Sequence, residues 1–223
     1  FGIWDDRANL SYKIKLVGQL LAIFVMVAFG HIRFEQIPFF YEEEAPVWLT
    51  VPLTVVFLVG ASNAVNLSDG LDGLAGGLAF LSFAGIAYLA YLSNDLTVLV
   101  LASGFLGGLL GFLRYNTYPA HIFMGDAGSQ LLGFSMGVLV LLLNDPARAL
   151  FPGAVGLLVL GLPCLDTLAV MGQRLLKGRS PFIGDRNHIH HKLLGLGLSH
   201  YEAVIAIYAI QAVMVGLAYL LRW

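Results

Sequence analysis

Charge is scarce in this sequence, and cysteine is scarcer. Charged residues fill 12% of the 223 positions against 58% for hydrophobic ones, and mean hydropathy is +0.81. Soluble domains carry roughly a quarter charged residues, which excludes that class. A net charge of −2 offers no basic surface, so nucleic acid is not expected as a partner. The one cysteine, Cys164, lies in an apolar run; no intrachain disulfide can form, and the redox compartment cannot be read from it. A cleavable signal sequence, a low-complexity tract, a long linker and a convincing internal repeat are also missing. The opening FGIWDD reads as a cytosolic loop rather than a natural start.

What the sequence does have is long apolar runs, of lengths that suit helices rather than barrel strands. The expected fold is all-α: a polytopic helix bundle embedded in the lipid bilayer, with 1–223 as one transmembrane domain. Seven spans are predicted at Tyr12–Phe29, Val47–Ala61, Leu74–Leu92, Leu96–Leu113, Gln130–Leu143, Phe151–Gln173 and Tyr201–Leu221. Pro52 and Pro163 are expected to bend their helices. Gly104, Gly107, Gly108 and Gly111 repeat at a small-residue spacing that predicts close helix packing.

Seven crossings sort the loops into two sets. Residues 1–11, 62–73, 114–129 and 174–200 carry or adjoin nine Lys and Arg, against three for the other set. The positive-inside rule puts the richer set in the cytosol. The clusters WDDR, NAVNLSDGLDG, FMGDAGS and GDRNHIHH all fall in that set. Four loops meeting at one membrane face suggest an interfacial site rather than a path across the bilayer.

NAVNLSDGLDG has the composition of a loop entering a helix, and Ser68, Asp69 or Asp72 could cap that helix. Capping does not account for so many Asn and Asp side chains together. In FMGDAGS, Asp126 opens a helix, where backbone N–H groups beside Gly128 and Ser129 could also hold a phosphate. A carboxylate beside a phosphate points to a divalent cation, and Mg²⁺, which takes few protein oxygens, fits. Asp5 and Asp6 are either a solvated pair or, buried near phosphate and metal, the source of a general base. His188, His190 and His191 raise the suspicion of zinc. Zinc would have to recruit carboxylates from another loop, and contact of these histidines and Arg186 with a pyrophosphate suits them better. His31, His121 and His200 stand alone at span edges, as interfacial or structural residues. Asp166 lies inside the sixth span, where a functional role competes with an interhelical hydrogen bond.

Taken together, GIWDD, NAVNLSDGLDGLAGG, FMGDAGS and SPFIGDRNHIHH resemble the polyprenyl-phosphate N-acetylhexosamine-1-phosphate transferases, over essentially the whole chain. The resemblance implies transfer of a sugar-1-phosphate, GlcNAc-1-phosphate on the form DRNHIHH, from a UDP-N-acetylhexosamine to polyprenyl (undecaprenyl) phosphate, with release of UMP. It further implies Mg²⁺ dependence, with Mn²⁺ as a substitute, and a site facing the cytosol at a bacterial cytoplasmic membrane. It assigns Asn66 and Asp126 as metal ligands and counts Asp5, Asp6, Asp69 and Asp126 as catalytic carboxylates. Gly70, Leu71 and Asp72 match the uracil region, and Arg186, His188, His190 and His191 the pyrophosphate and sugar region. A homodimer is left open. Members of that family have further transmembrane segments before the DD pair, so these residues are expected to be part of a longer chain. The alternatives are a catalytically incomplete remnant or scaffold, and an ion-coupled transporter, for which only Asp166 supplies a mid-span carboxylate.

Overall fold

The computed structural model describes residues 2–8, 10–37, 44–144, 154–180 and 187–221, so Arg186 lies outside the described residues. Among them ten helices follow one another without a β-strand: α1 (Gly2–Ala8), α2 (Tyr12–Ala28), α3 (Val47–Ser68), α4 (Leu74–Leu92), α5 (Leu96–Asn116), α6 (Gly125–Leu143), α7 (Ala154–Val159), α8 (Gly161–Leu176), α9 (Ile189–Gly195) and α10 (His200–Leu220). The chain is an all-α, polytopic membrane protein. Five helices, α3, α4, α5, α6 and α10, are long and apolar enough to cross a bilayer. Two of the seven expected spans fall short of that: α2 has 17 residues, and the sixth is interrupted.

Two helices reach further toward the motifs than their apolar runs suggest. α3 continues past Ala61 to Ser68, which at 1.5 Å per residue makes it about 33 Å long. Asn63 to Ser68 are therefore helical, not loop. Their polar groups are satisfied without unwinding: Ser68 Oγ donates to Ala64 O at 2.9 Å, and Asn63 Nδ2 donates to Val59 O at 2.8 Å and to Gln19 Oε1 at 3.1 Å. α6 likewise begins at Gly125, so Asp126 sits in its first turn.

The sixth expected span breaks at Leu160, and Pro163 falls in the first turn of α8, where its missing N–H interrupts no helical bond. A break inside a bilayer exposes backbone groups that lipid cannot satisfy. Buried Gln211 of α10 covers them, accepting from Leu162 N at 3.0 Å and donating to Val159 O at 2.8 Å and to Ser82 Oγ at 3.0 Å. Ser82 Oγ of α4 also donates to Val159 O, at 2.8 Å.

α4 is the central helix: 67% of its most apolar stretch is buried, against 17% for α5. Gly76, Gly77 and Gly85 let Leu113, Tyr208 and Val215 press against its backbone. The expected packing role of the α5 glycines is not found among the described residues. A Cβ at Gly104, Gly107, Gly108 or Gly111 would meet nothing, and Gly104 and Gly108 instead line an apolar groove of about 550 Å³ between α5 and α6.

Candidate active site

The site is assembled at the ends of these helices. Its acidic half is built around the first turn of α6. Asp126 receives Asn66 Nδ2 of α3 at 2.8 Å, and the same nitrogen donates to Ser129 Oγ at 2.9 Å. Lys15 of α2 stands between two carboxylates, 2.5 Å from Asp126 Oδ2 and 2.6 Å from Asp5 Oδ2. Asp5 is buried, and its Oδ1 accepts from Leu10 N at 2.9 Å. Its buried Oδ2 has no hydrogen bond of good geometry, so the Lys15 charge is what balances it.

Asp6 behaves differently from its neighbour. It is exposed, and its Oδ1 accepts from Asp126 N at 2.8 Å and its Oδ2 from Ala127 N at 3.3 Å. Met124, the N-cap residue of α6, supplies no side-chain cap, so Asp6 caps the helix from α1. Gly125 permits this approach. Its φ is +66°, and a Cβ there would lie 2.9 Å from the Asp6 oxygens. Two of the amides that the sequence offered to a phosphate are thereby engaged by a carboxylate.

The DGLDG turn joins the two halves. Gly73, with φ +81°, is the N-cap of α4 and makes no side-chain cap, so the cap that Ser68, Asp69 or Asp72 could have supplied is not formed. Ser68 bonds back into its own helix, and Asp72 Oδ2 instead accepts from Ala120 N at 3.0 Å, holding the loop before α6. Asn116 reinforces that join, accepting from Gly73 N at 3.1 Å and donating to Ile122 O at 2.9 Å. His200 stacks on Tyr118 with ring centroids 4.4 Å apart and reaches Asp72 O at 3.3 Å, a structural role. Leu71 packs into a cluster with Leu74, Leu162 and Ile207. Asp69 is pushed up to about 6, first by burial and then by the charges of Asp126 and Asp72.

The histidine half faces that turn. His190 is buried, with its Nε2 where a Cβ on Gly70 would stand, so only glycine fits there. Burial, helped by the neighbouring charges of His191 and His188, pushes His190 down to about 4 and keeps it neutral at pH 7. The His188 and His190 rings lie parallel at 6.0 Å, and His191 tilts against His190 at 4.2 Å. Asp166 of α8 bonds His188 Nδ1 at 2.8 Å. Its charge is met by this ring and by the Ile189 N–H at 3.0 Å, so the interhelical hydrogen bonding that the sequence set against a functional role is present.

Among the described residues no three His, Cys, Asp or Glu side chains gather as metal ligands. Asn66 and Asp126 nevertheless fit a hard cation that keeps most of its own water. Both offer oxygen, they are already adjacent, and the buried Asp5 carboxylate lies beside them across Lys15, adding negative charge. The Asn66 amide now turns its nitrogen to Asp126, so it would have to rotate to present its oxygen.

Sequence reasoning missed Lys15 and Asn116. Lys15 entered it only as a counted positive charge, and its one signal was a cation one turn inside an apolar run. Asn116, at the end of α5, gave no signal beyond a polar residue beside a loop.

The profile of glycosyl transferase family 4 matches residues 1–144. The chain is 39% identical over 94% of its length to a probable undecaprenyl-phosphate N-acetylglucosaminyl 1-phosphate transferase of Bacillus subtilis, covering 59% of that protein. It is 34% identical over 93% of its length to a decaprenyl-phosphate N-acetylglucosaminephosphotransferase of Mycolicibacterium smegmatis, covering 56% of it. To a phospho-N-acetylmuramoyl-pentapeptide-transferase of Halalkalibacterium halodurans it is 33% identical over 99% of its length, covering 68%. The chain thus spans a little over half the length of the first two.

Proposed function

The chain belongs to glycosyl transferase family 4, and on that footing we propose that its protein moves N-acetylhexosamine-1-phosphate, GlcNAc-1-phosphate in the simplest case, from a UDP-sugar to polyprenyl phosphate, releasing UMP. The observation that carries this reading is the meeting of Asp126, Asn66, Asp5 and Lys15, from four helices, at one end of a membrane bundle. A lipid phosphate and a cytosolic nucleotide would meet there. The nine-to-three Lys and Arg split supports a cytosolic face, and the bacterial relatives support a cytoplasmic membrane.

In this reaction an oxygen of the lipid phosphate attacks the β-phosphorus of the UDP-sugar, the bridging P–O bond breaks, and UMP leaves. Both reactants are anions, so the site must supply positive charge and in-line alignment. Asn66 and Asp126 would hold Mg²⁺, or Mn²⁺ in its place. When bound, the ion would neutralise the pyrophosphate and favour UMP departure. Lys15 supplies a fixed positive charge beside it. Of the DD pair, Asp5 suits the task of accepting a proton from the lipid phosphate, because both Asp6 oxygens are engaged on α6. The DGLDG turn and the His188–His191 segment lie together, suited to the uridine and the sugar diphosphate.

The test is UMP exchange in membranes carrying the complete protein, run over a panel of UDP-sugars with undecaprenyl phosphate. Labelled UMP should enter UDP-GlcNAc only when the lipid and Mg²⁺ are both present. Absence of exchange with every UDP-N-acetylhexosamine would overturn the assignment.

A further inference from the structure

We infer that Asp166 is a positioning residue for the histidine segment, setting the tautomer of His188 from α8. The inference rests on the proposed transferase reading only for what His188 then does.

Both oxygens of the Asp166 carboxylate are committed to one short stretch of chain. Oδ2 meets His188 Nδ1 at 2.8 Å, and Oδ1 accepts from Ile189 N at 3.0 Å. The side chains are 12% and 6% exposed, so water competes little for these bonds. Ile189 is the first residue of α9 and His188 its N-cap, and the His188 side chain makes no cap of its own. Asp166 therefore replaces the missing cap from across the bundle and orients the ring preceding the helix with the same group.

An ionised carboxylate has only acceptors. The proton between it and the ring must lie on His188 Nδ1, whether the imidazole is neutral or charged. Nε2 is then the nitrogen that gains or loses a proton and the one that can meet an anionic ligand. The setting extends to the next histidine, because the His188 ring lies parallel to that of His190, which presses on Gly70. One carboxylate on α8 thus fixes the register of the histidine segment against the DGLDG turn. An Asp placed only to join α8 to α9 would need the backbone bond and not the ring.

Asp166→Asn separates these roles. The amide can still accept from Ile189 N through its oxygen, but it turns an NH₂ donor toward the ring. His188 Nδ1 must then become an acceptor and the proton must move to Nε2. In the complete protein labelled with ¹⁵N-histidine, the wild type should show His188 protonated on Nδ1, and Asp166→Asn should show it protonated on Nε2. His188→Gln identifies the resonance. Turnover should fall about thirtyfold in Asp166→Asn, with the KM for undecaprenyl phosphate unchanged and part of the loss recovered in Asp166→Glu. The double variant Asp166→Asn with His188→Gln should be no slower than His188→Gln alone.

Nε2 protonation in the wild type, an unchanged tautomer in Asp166→Asn, or losses that multiply in the double variant would each overturn the inference. If Asp166→Asn does not accumulate, the wild-type spectrum decides alone. If the wild type fails UMP exchange, the transferase reading falls while the tautomer measurement still decides this one.

Discussion

The two halves of the site balance charge in opposite ways. Around α6, Asp5 and Asp126 share one lysine, whose ammonium reaches both on a flexible stem. Around α9, the Asp166 carboxylate is enclosed, with one oxygen on a ring and one on a backbone amide. The first arrangement holds negative charge ready for an incoming cation. The second holds a side chain still and has no charge left to give. Substitutions in the acidic half should therefore alter metal dependence, and those in the histidine half should alter turnover at unchanged metal dependence.

The largest effect is expected at Asp126. Asp126→Asn keeps the shape and removes the charge, so turnover should fall about a thousandfold and the Mg²⁺ concentration for half activity should rise. Steady-state assays across a Mg²⁺ series measure both. On the other side, Gly70→Ala drives a Cβ into the buried His190 ring. Turnover should drop by roughly tenfold to a hundredfold, as expected for misplacing a group beside the chemistry, with the Mg²⁺ curve unmoved. A shifted curve in Gly70→Ala would erase the distinction between the halves.

Asp69 lies between them and supplies a pH test. Its pKa is raised from 3.8 to about 6 in the fold, so the folded state binds more protons than the unfolded one between those values. Stability should accordingly fall as pH rises from about 4 to about 6 and stay lower above that. Because the carboxyl is not fully enclosed, the loss is about 1–2 kcal/mol rather than the full value of the shift. Asp69→Asn should remove this decline, read as the difference between two melting curves across pH. The smallest effect belongs to Asp6→Ala, which loses the cap on α6 and should cost about 1 kcal/mol, seen as a modest fall in Tm.

How far the sequence discloses all this depends on the kind of signal involved. Apolar runs located the helices because the bilayer demands them. They misjudged the ends of α3 and α6, where asparagine and serine bond back into the helix or across to a neighbour and let it run on into the motif. Pro163 marked trouble in the sixth span, but the break itself depends on Gln211 and Ser82, whose partners come from distant segments. The α5 glycines carry a packing pattern, yet the close packing is done by Gly76, Gly77 and Gly85 of α4 and by Gly133 and Gly137 of α6, a repeat at the same spacing that went unremarked in the sequence. In the site, the family resemblance paired Asn66 with Asp126, and the fold sets their side chains 2.8 Å apart. Lys15 and the tie between Asp166 and His188 were not legible, because each depends on which helices become neighbours.

Catalysis at this site requires that Asn66 and Asp126 hold one ion between them. Mn²⁺ titrated into the complete protein and followed by electron paramagnetic resonance reads this without relying on turnover. Asp126→Asn and Asn66→Ala should each weaken binding at a single site, the second less because a neutral amide contributes less than a carboxylate. The double variant should be little worse than Asp126→Asn alone. Full Mn²⁺ affinity in either single variant, or losses that add independently in the double, would mean that these two residues do not share a metal.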